Sequence, residues 1–166
     1  PGPWDWPCWS AQAALSALNA VLNGLRSAFA LCRPPGHHAG RNYFGGYSYL
    51  SNAAICALAA GRRVAILHVD YHYGNGTQDT VAGRDDLLFA SIHADPSNYF
   101  PFYAGYPEEI GRGAGLGFNL NLPLAHGSGD APFLQALDTA LARIRSFAPA
   151  ALVVALGLDA SEHDPL

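Results

Sequence analysis

The sequence predicts an α/β fold, a mostly parallel sheet with helices on both faces, and three features lead there. Several apolar runs are continuous rather than alternating, as in Val64-Ala-Ile-Leu-His-Val69, which is the pattern of strands covered on both sides. Between these runs lie stretches whose apolar residues recur at helical spacing. Strand and helix take turns along the chain, as parallel crossover connections require.

Residues 1–9 (PGPWDWPCW) read as an irregular lead-in. Ser10 is then placed to cap a helix with the stripe Ala14, Leu18, Val21, Leu22 and Leu25. Ala28 to Cys32 is a short apolar run expected as a buried strand, ended by Pro34-Pro35-Gly36. Asn52 to Ala60 is an Ala-rich helix stopped at Gly61. Arg63 to Val69 is the clearest strand, and Leu87 to His93 is a second of the same kind. Leu116, Phe118, Leu120 and Leu122 alternate with small or polar residues, so this strand is expected nearer an edge. Asp130 is expected to cap a helix with Pro132 in its first turn and the stripe Phe133, Leu137, Ala140, Leu141, Ile144. Ala150 to Leu158 reads as the last buried strand. Residues 1–166 show no repeat, low-complexity tract or linker, and read as part of a single domain.

Composition narrows the function classes. Charged residues make up 13% of the 166, roughly half the ~25% of an average soluble protein. With no methionine and the closing DASEHDPL, the chain reads as an excerpt of a larger domain. Half of the residues are apolar and the net charge is only −4, which excludes intrinsic disorder. The longest helical stretches, near 11–26 and 131–147, are broken by polar residues, so no membrane span is expected. The acidic balance and the lack of Lys/Arg clusters argue against nucleic acid as a partner. Cys8, Cys32 and Cys56 are widely spaced and odd in number, which points to a reducing, cytoplasmic setting.

Ligands in parallel sheets bind beyond the carboxyl ends of the strands. Two apolar runs end there in an aspartate: RVAILHV runs into Asp70 and ALVVALGL into Asp159. His72 stands two residues past the first. If the two strands are neighbours, two carboxylates and one imidazole share a rim, three ligands with a fourth position open, as in a catalytic zinc site. Otherwise the aspartates are strand-end caps and His72 a loop residue. The loop Pro34-Pro35-Gly36-His37-His38-Ala39-Gly40 sets paired histidines beyond another apolar run. One imidazole can take a proton from a metal-bound water while the other stays a cation or donor. PGHHAG and FGGY lack both the phosphate-loop Lys-Ser/Thr and GxGxxG, so nucleotide binding is set aside.

RPPGHHAG, GGYSYLSNAA, VAILHVDYHYGNGTQ, FASIHADP and ALGLDASEHDPL together resemble the zinc-dependent deacetylases, the histone deacetylase and acetylpolyamine amidohydrolase family of arginase/deacetylase fold. GGY, GNGTQ and FASIHADP followed by Phe100 are closest to the acetylpolyamine branch. The resemblance implies hydrolysis of acetylated polyamines or related aminoalkyl amides by a metal-bound water, with one zinc per chain held by Asp70, His72 and Asp159. It implies His38 as general base with His37 as its electrostatic partner, and Tyr47 and Phe100 along a narrow acyl tunnel. It also implies an internal potassium site around residue 68, Asp70, His72, Ser91 and Ile92. The tyrosine that donates to the oxyanion in this family lies downstream of Asp159, beyond Leu166. The polyamine branch is often dimeric, so a homodimer is expected.

Three positions depart from the pattern. His68 stands where the family has an aspartate that orients the first tandem histidine and serves the potassium site. Tyr73 replaces a second histidine, and Asn75 takes the amide form of an acidic relay. Gly74 stands where arginases place a further aspartate for a second metal, so one metal is expected. A protein lysine deacetylase acting on acetyl-lysine is the alternative enzyme. A catalytically impaired relative that binds zinc or an acyl ligand is the alternative from another class, motivated by His68.

Overall fold

The computed structural model describes residues 2–164. Four parallel strands, β1 (Val64–Val69), β2 (Leu87–Ala94), β3 (Asn119–Leu124) and β4 (Ala151–Leu156), form one sheet in the order β3-β2-β1-β4. Helices α1 (Asp5–Leu22), α2 (Asn52–Ala59), α3 (Asn75–Val81) and α4 (Asp130–Phe147) complete the fold. Even-numbered residues of β1, Val64 and Ile66, join Ala54, Ala57 and Val81 of α2 and α3 in one core. Odd-numbered Ala65 and Leu67 join Ala140, Ile144 and Phe147 of α4 in the other. Both faces of the two central strands are thus covered, which is why β1 and β2 read as continuous apolar runs. As expected, β3 is an edge strand.

Four expectations need correction. Residues 28–32 form no strand, and Phe29 and Leu31 are exposed, because no neighbouring strand pairs with them among the described residues. β4 lies at the other edge with β1 as its partner, and α4 does not reach over it, so Leu152, Val154 and Leu156 are about half exposed on that face. The first helix begins at Asp5 and not after Ser10, since Pro7 sits in the first turn, where its missing N–H has no partner to lose. Ser10 is instead buried mid-helix, its hydroxyl donating to the Pro34 carbonyl at 2.7 Å and accepting from the Asn52 amide at 2.9 Å. Asp130 is the first residue of α4, and Gly129 is its cap. α3 carries no apolar period, which hid it in the sequence. Among the described residues no helix is long and apolar enough to cross a membrane.

Candidate metal centre and tandem histidines

β1 and β4 are neighbours with Val69 facing Leu156, so the residues beyond them leave the sheet side by side. Asp70 Oδ1 accepts from the His72 N–H at 2.8 Å, and Asp159 Oδ1 accepts from the Tyr71 N–H at 3.0 Å. His72 Nδ1 closes the triangle, 2.8 Å from Asp159 Oδ2 and 3.7 Å from Asp70 Oδ1. Tetrahedral zinc with bonds of ~2.1 Å holds its ligand atoms ~3.4 Å apart. The observed separations of 2.8 and 3.7 Å bracket that spacing, so these three side chains fit one divalent cation. The hydrogen bonds to Asp159 and then to Asp70 raise the His72 pKa to about 9. Burial acts to raise Asp159, but the bonds from His72 and Tyr71 outweigh it and hold the carboxyl down at about 2. Metal binding at such a site displaces the proton on His72.

Gly157 leaves room for this convergence. A Cβ there would collide with the Asp70 carboxylate and lie 2.9 Å from Asp159 Oδ1. Gly157→Ala is therefore expected to weaken metal binding by ~10–100-fold, the range seen when the support of metal ligands is disturbed. Competition against a chelator of known affinity measures it, and unchanged affinity contradicts the convergence.

The tandem-histidine loop is clamped to α3. The His37 carbonyl accepts from the N–H groups of Gly76 at 2.9 Å and Thr77 at 3.1 Å, and the His38 N–H donates to Ser48 Oγ at 3.2 Å. The Asn75 amide nitrogen donates to the hydroxyls of Tyr43 (3.3 Å) and Tyr103 (2.9 Å). Its Oδ1 is left to accept from His38 Nδ1–H at 2.6 Å, which assigns the His38 lone pair to Nε2. Burial, and then the neighbouring His37, lower the His38 pKa to about 4, so the ring is neutral and can accept a proton. Its centroid is 3.9 Å from that of His37 and 6.2 Å from that of His72. Burial also lowers His37, against the pull of Asp70 and Asp159.

His37 Nδ1 lies 3.0 Å from His68 Nε2 and 3.8 Å from Asp70 Oδ2. These three residues make a second triangle that shares Asp70 with the first. At 3.0 Å the two imidazoles already satisfy each other through one proton. His68 is fully buried, and its Nδ1 lies 3.0 Å from the hydroxyl of Ser91, its register partner on β2. Ser91 Oγ lies in turn 2.9 Å from His93 Nδ1. The side chains of His68 and Ser91 do not fit the potassium site that the resemblance implies. Potassium needs a shell of oxygens, whereas His68 offers two nitrogens, both engaged, and the Ser91 hydroxyl already holds His68 and His93.

Phe100 meets the His38 ring edge-on, with centroids 4.8 Å apart. Tyr47 stands 82% exposed, with no ring contact to the histidines among the described residues. A cavity of about 340 Å³ opens beyond Asn75 between Tyr43, Tyr103 and Glu109, and none of the three candidate metal ligands lines it. Tyr103, His93 and Gly105 escaped the sequence reading. Tyr103 and Gly105 arrive through loop folding and His93 through the pairing of β2 with β1, and no spacing links them to HisHis or Asp-x-His.

Comparisons with known proteins agree with this architecture. A model of the histone deacetylase domain matches residues 1–166. The chain is 56% identical over 169 residues to acetylpolyamine amidohydrolase 1 of Pseudomonas aeruginosa, covering 99% of the chain and 49% of that protein. It is 50% identical to the acetylpolyamine amidohydrolase of Burkholderia pseudomallei, covering 98% of the chain and 48% of that protein. A crystal structure of acetylpolyamine aminohydrolase from Burkholderia pseudomallei superposes with a TM-score of 0.93 at 51% identity, over 95% of this chain and 47% of that one. The chain thus spans about half the length of the curated relatives that it matches. On the matched domain, the shared fold and these identities, the chain belongs to the histone deacetylase domain family.

Proposed function

We propose that residues 1–166 are part of a single catalytic domain of a zinc-dependent amidohydrolase that removes acetyl groups from acetylated polyamines or related aminoalkyl amides. The observation that carries the reading is the meeting of Asp70, His72 and Asp159 at one point beside the paired imidazoles of His37 and His38. The names of the relatives at 50–56% identity support the polyamine class over the lysine class. Zinc held there supplies a Lewis acid for the amide carbonyl and acidifies a water.

The chain's own residues do the rest. Asp70 and Asp159 would balance the charge of the cation, and His72 would hold it as the third ligand through Nδ1. His38, held by Asn75 in the tautomer with a free Nε2, takes the proton of the attacking water and passes it to the departing amine. His37 lies against it as a second neutral imidazole. Phe100, edge-on to the His38 ring, narrows the approach for an extended, uncharged acetamide arm, and Tyr47 is the second tunnel aromatic on the family resemblance alone. The three free thiols, Cys8, Cys32 and Cys56, support a cytoplasmic setting. The small acidic excess supports a small cationic amine over nucleic acid as partner, and sedimentation of the full-length protein tests the homodimer.

The test pairs metal analysis with two substrate classes on the full-length protein. One zinc per chain and faster turnover of acetylputrescine or acetylcadaverine than of an acetyl-lysine peptide are expected. Preference for the peptide assigns a lysine deacetylase, and metal-loaded protein inactive on both ends the enzymatic reading. His38→Ala is expected to lower kcat by ~10²–10⁴-fold while the metal content stays at the wild-type value.

A further inference from the structure

The hydrogen bonds behind His37 have a direction, because their far end can only accept. His93 Nε2 lies 2.9 Å from the carbonyl oxygen of Gly105, so Nε2 carries the proton and donates. In neutral His93 that leaves Nδ1 as acceptor, and the Ser91 hydroxyl donates to it. Ser91 Oγ then accepts from His68 Nδ1–H, and His68 Nε2, now the lone-pair nitrogen, accepts from His37 Nδ1–H. The last lone pair left over is that of His37 Nε2. One carbonyl therefore sets every proton in a chain of three imidazoles and a hydroxyl.

The surroundings keep the chain dry and uncharged. His68 and Ser91 are fully buried, and His93 is 2% exposed. Burial lowers the pKa of His93 to about 4. Gly105 adopts φ +109°, open to glycine, and a Cβ there would press on His93 Nε2 and on the Tyr73 ring at 2.9 Å. Tyr73 is buried with its ring centroid 4.5 Å from that of His93. Two of the chain's departures from the family pattern, His68 and Tyr73, thus both contact this relay.

We propose that the chain carries, in place of a monovalent cation, a neutral relay from His37 through His68, Ser91 and His93 to the Gly105 carbonyl, which positions His37 and sets its tautomer, so that the protein has no potassium requirement. A carboxylate at position 68 would accept the same proton from His37, but only with a buried negative charge that calls for a counter-ion. An imidazole accepts that proton without the charge and passes the demand on to Ser91. His68 is on this account a positioning residue. Its relevance to turnover rests on the function proposed above, whereas the tests read tautomers and ion response without turnover, so the two can fail separately.

Long-range ¹H–¹⁵N spectra of histidine-labelled, metal-loaded full-length protein are expected to show His37 and His68 as Nδ1–H tautomers and His93 as the Nε2–H tautomer. His68 as imidazolium or as the Nε2–H tautomer overturns the relay. In parallel, the melting temperature is expected to be the same in potassium chloride as in tetramethylammonium chloride at matched ionic strength. His68→Asp is expected to acquire a saturable, potassium-specific rise of several degrees, the linkage of an ion that binds only the folded state. A saturable potassium response in the unaltered protein overturns the proposal, as does a folded His68→Asp protein without one. If His68→Asp does not fold, the spectra and the wild-type titration still decide the matter.

Discussion

Asp159→Ala is expected to abolish both metal retention and amide hydrolysis. Its carboxylate is one of three ligand atoms that meet at one point, and it ties the chain beyond β4 to the β1 rim through the Tyr71 N–H and the His72 ring. Disturbing a group that merely supports a ligand costs ~10–100-fold in affinity, so removing the ligand itself is expected to cost more than about 100-fold. Elemental analysis after dialysis against a weak chelator is expected to find far less than one zinc per chain, with acetylputrescine turnover at background. Asp159→Asn separates charge from shape, since it keeps an oxygen for the Tyr71 N–H. It is expected to bind metal more weakly than the parent and more tightly than the alanine variant. One zinc per chain with turnover within tenfold of the parent in Asp159→Ala would show that the carboxylate is a strand-end cap and nothing more.

Acid is expected to unfold the metal-free protein over a narrow range below neutrality. His38 and His93 are buried, and burial lowers both to about 4 from an ordinary value of 6.5. Between those limits the unfolded chain binds two protons that the native state refuses, so stability falls as pH falls, by about 1.4 kcal/mol per unit for each histidine. His68 acts in the same direction. His72 and Asp159 do not offset this. The raised pKa of His72 adds stability that is complete below 6.5 and is lost on the alkaline side towards about 9. The lowered pKa of Asp159 adds stability that is lost only below about 4, on the way down to about 2. A slope of about 3 kcal/mol per unit exhausts the ~5–15 kcal/mol of a typical domain within a few pH units. Urea midpoints measured on chelator-treated protein from neutrality downwards are expected to fall steeply, and His93→Gln to lessen the slope by about 1.4 kcal/mol per pH unit. A midpoint independent of pH over this range would falsify the neutral, buried assignment of these rings.

The parallel sheet, the two rims of apolar runs and the aspartates that end them were legible in the sequence. The continuous apolar stretch Val64–Val69 reflects cover on both faces, whereas the like stretch Ala151–Leu156 stands at an edge with one face half exposed, and a strand that ends in Asp places that Asp at the carboxyl rim. The tandem histidines were legible as well, since His37-His38 is a local pattern set between Pro and Gly. Ala28–Cys32 was misread because local apolarity does not choose a partner strand, and none lies beside it among the described residues. α3 was missed for the converse reason. Its Asn, Gly and Thr residues are poor helix formers, and two of its N–H groups are satisfied by the His37 carbonyl, a contact made across the fold.

By itself the sequence determined which residue types stand at the strand ends and, through a long run of local motifs, the family. Tertiary structure alone decided that β1 and β4 are neighbours, which turns two separate aspartates and a histidine into one ligand set. It also decided the role of His68. Read along the chain, His68 is a lost carboxylate. In the fold it stands opposite Ser91 in the sheet register, with His37 on one nitrogen and the way to Gly105 on the other. The physical reason is the same in both cases: hydrogen bonds and metal ligation act over about 3 Å, and which atoms come that close is set by strand pairing and loop closure between residues far apart in the chain.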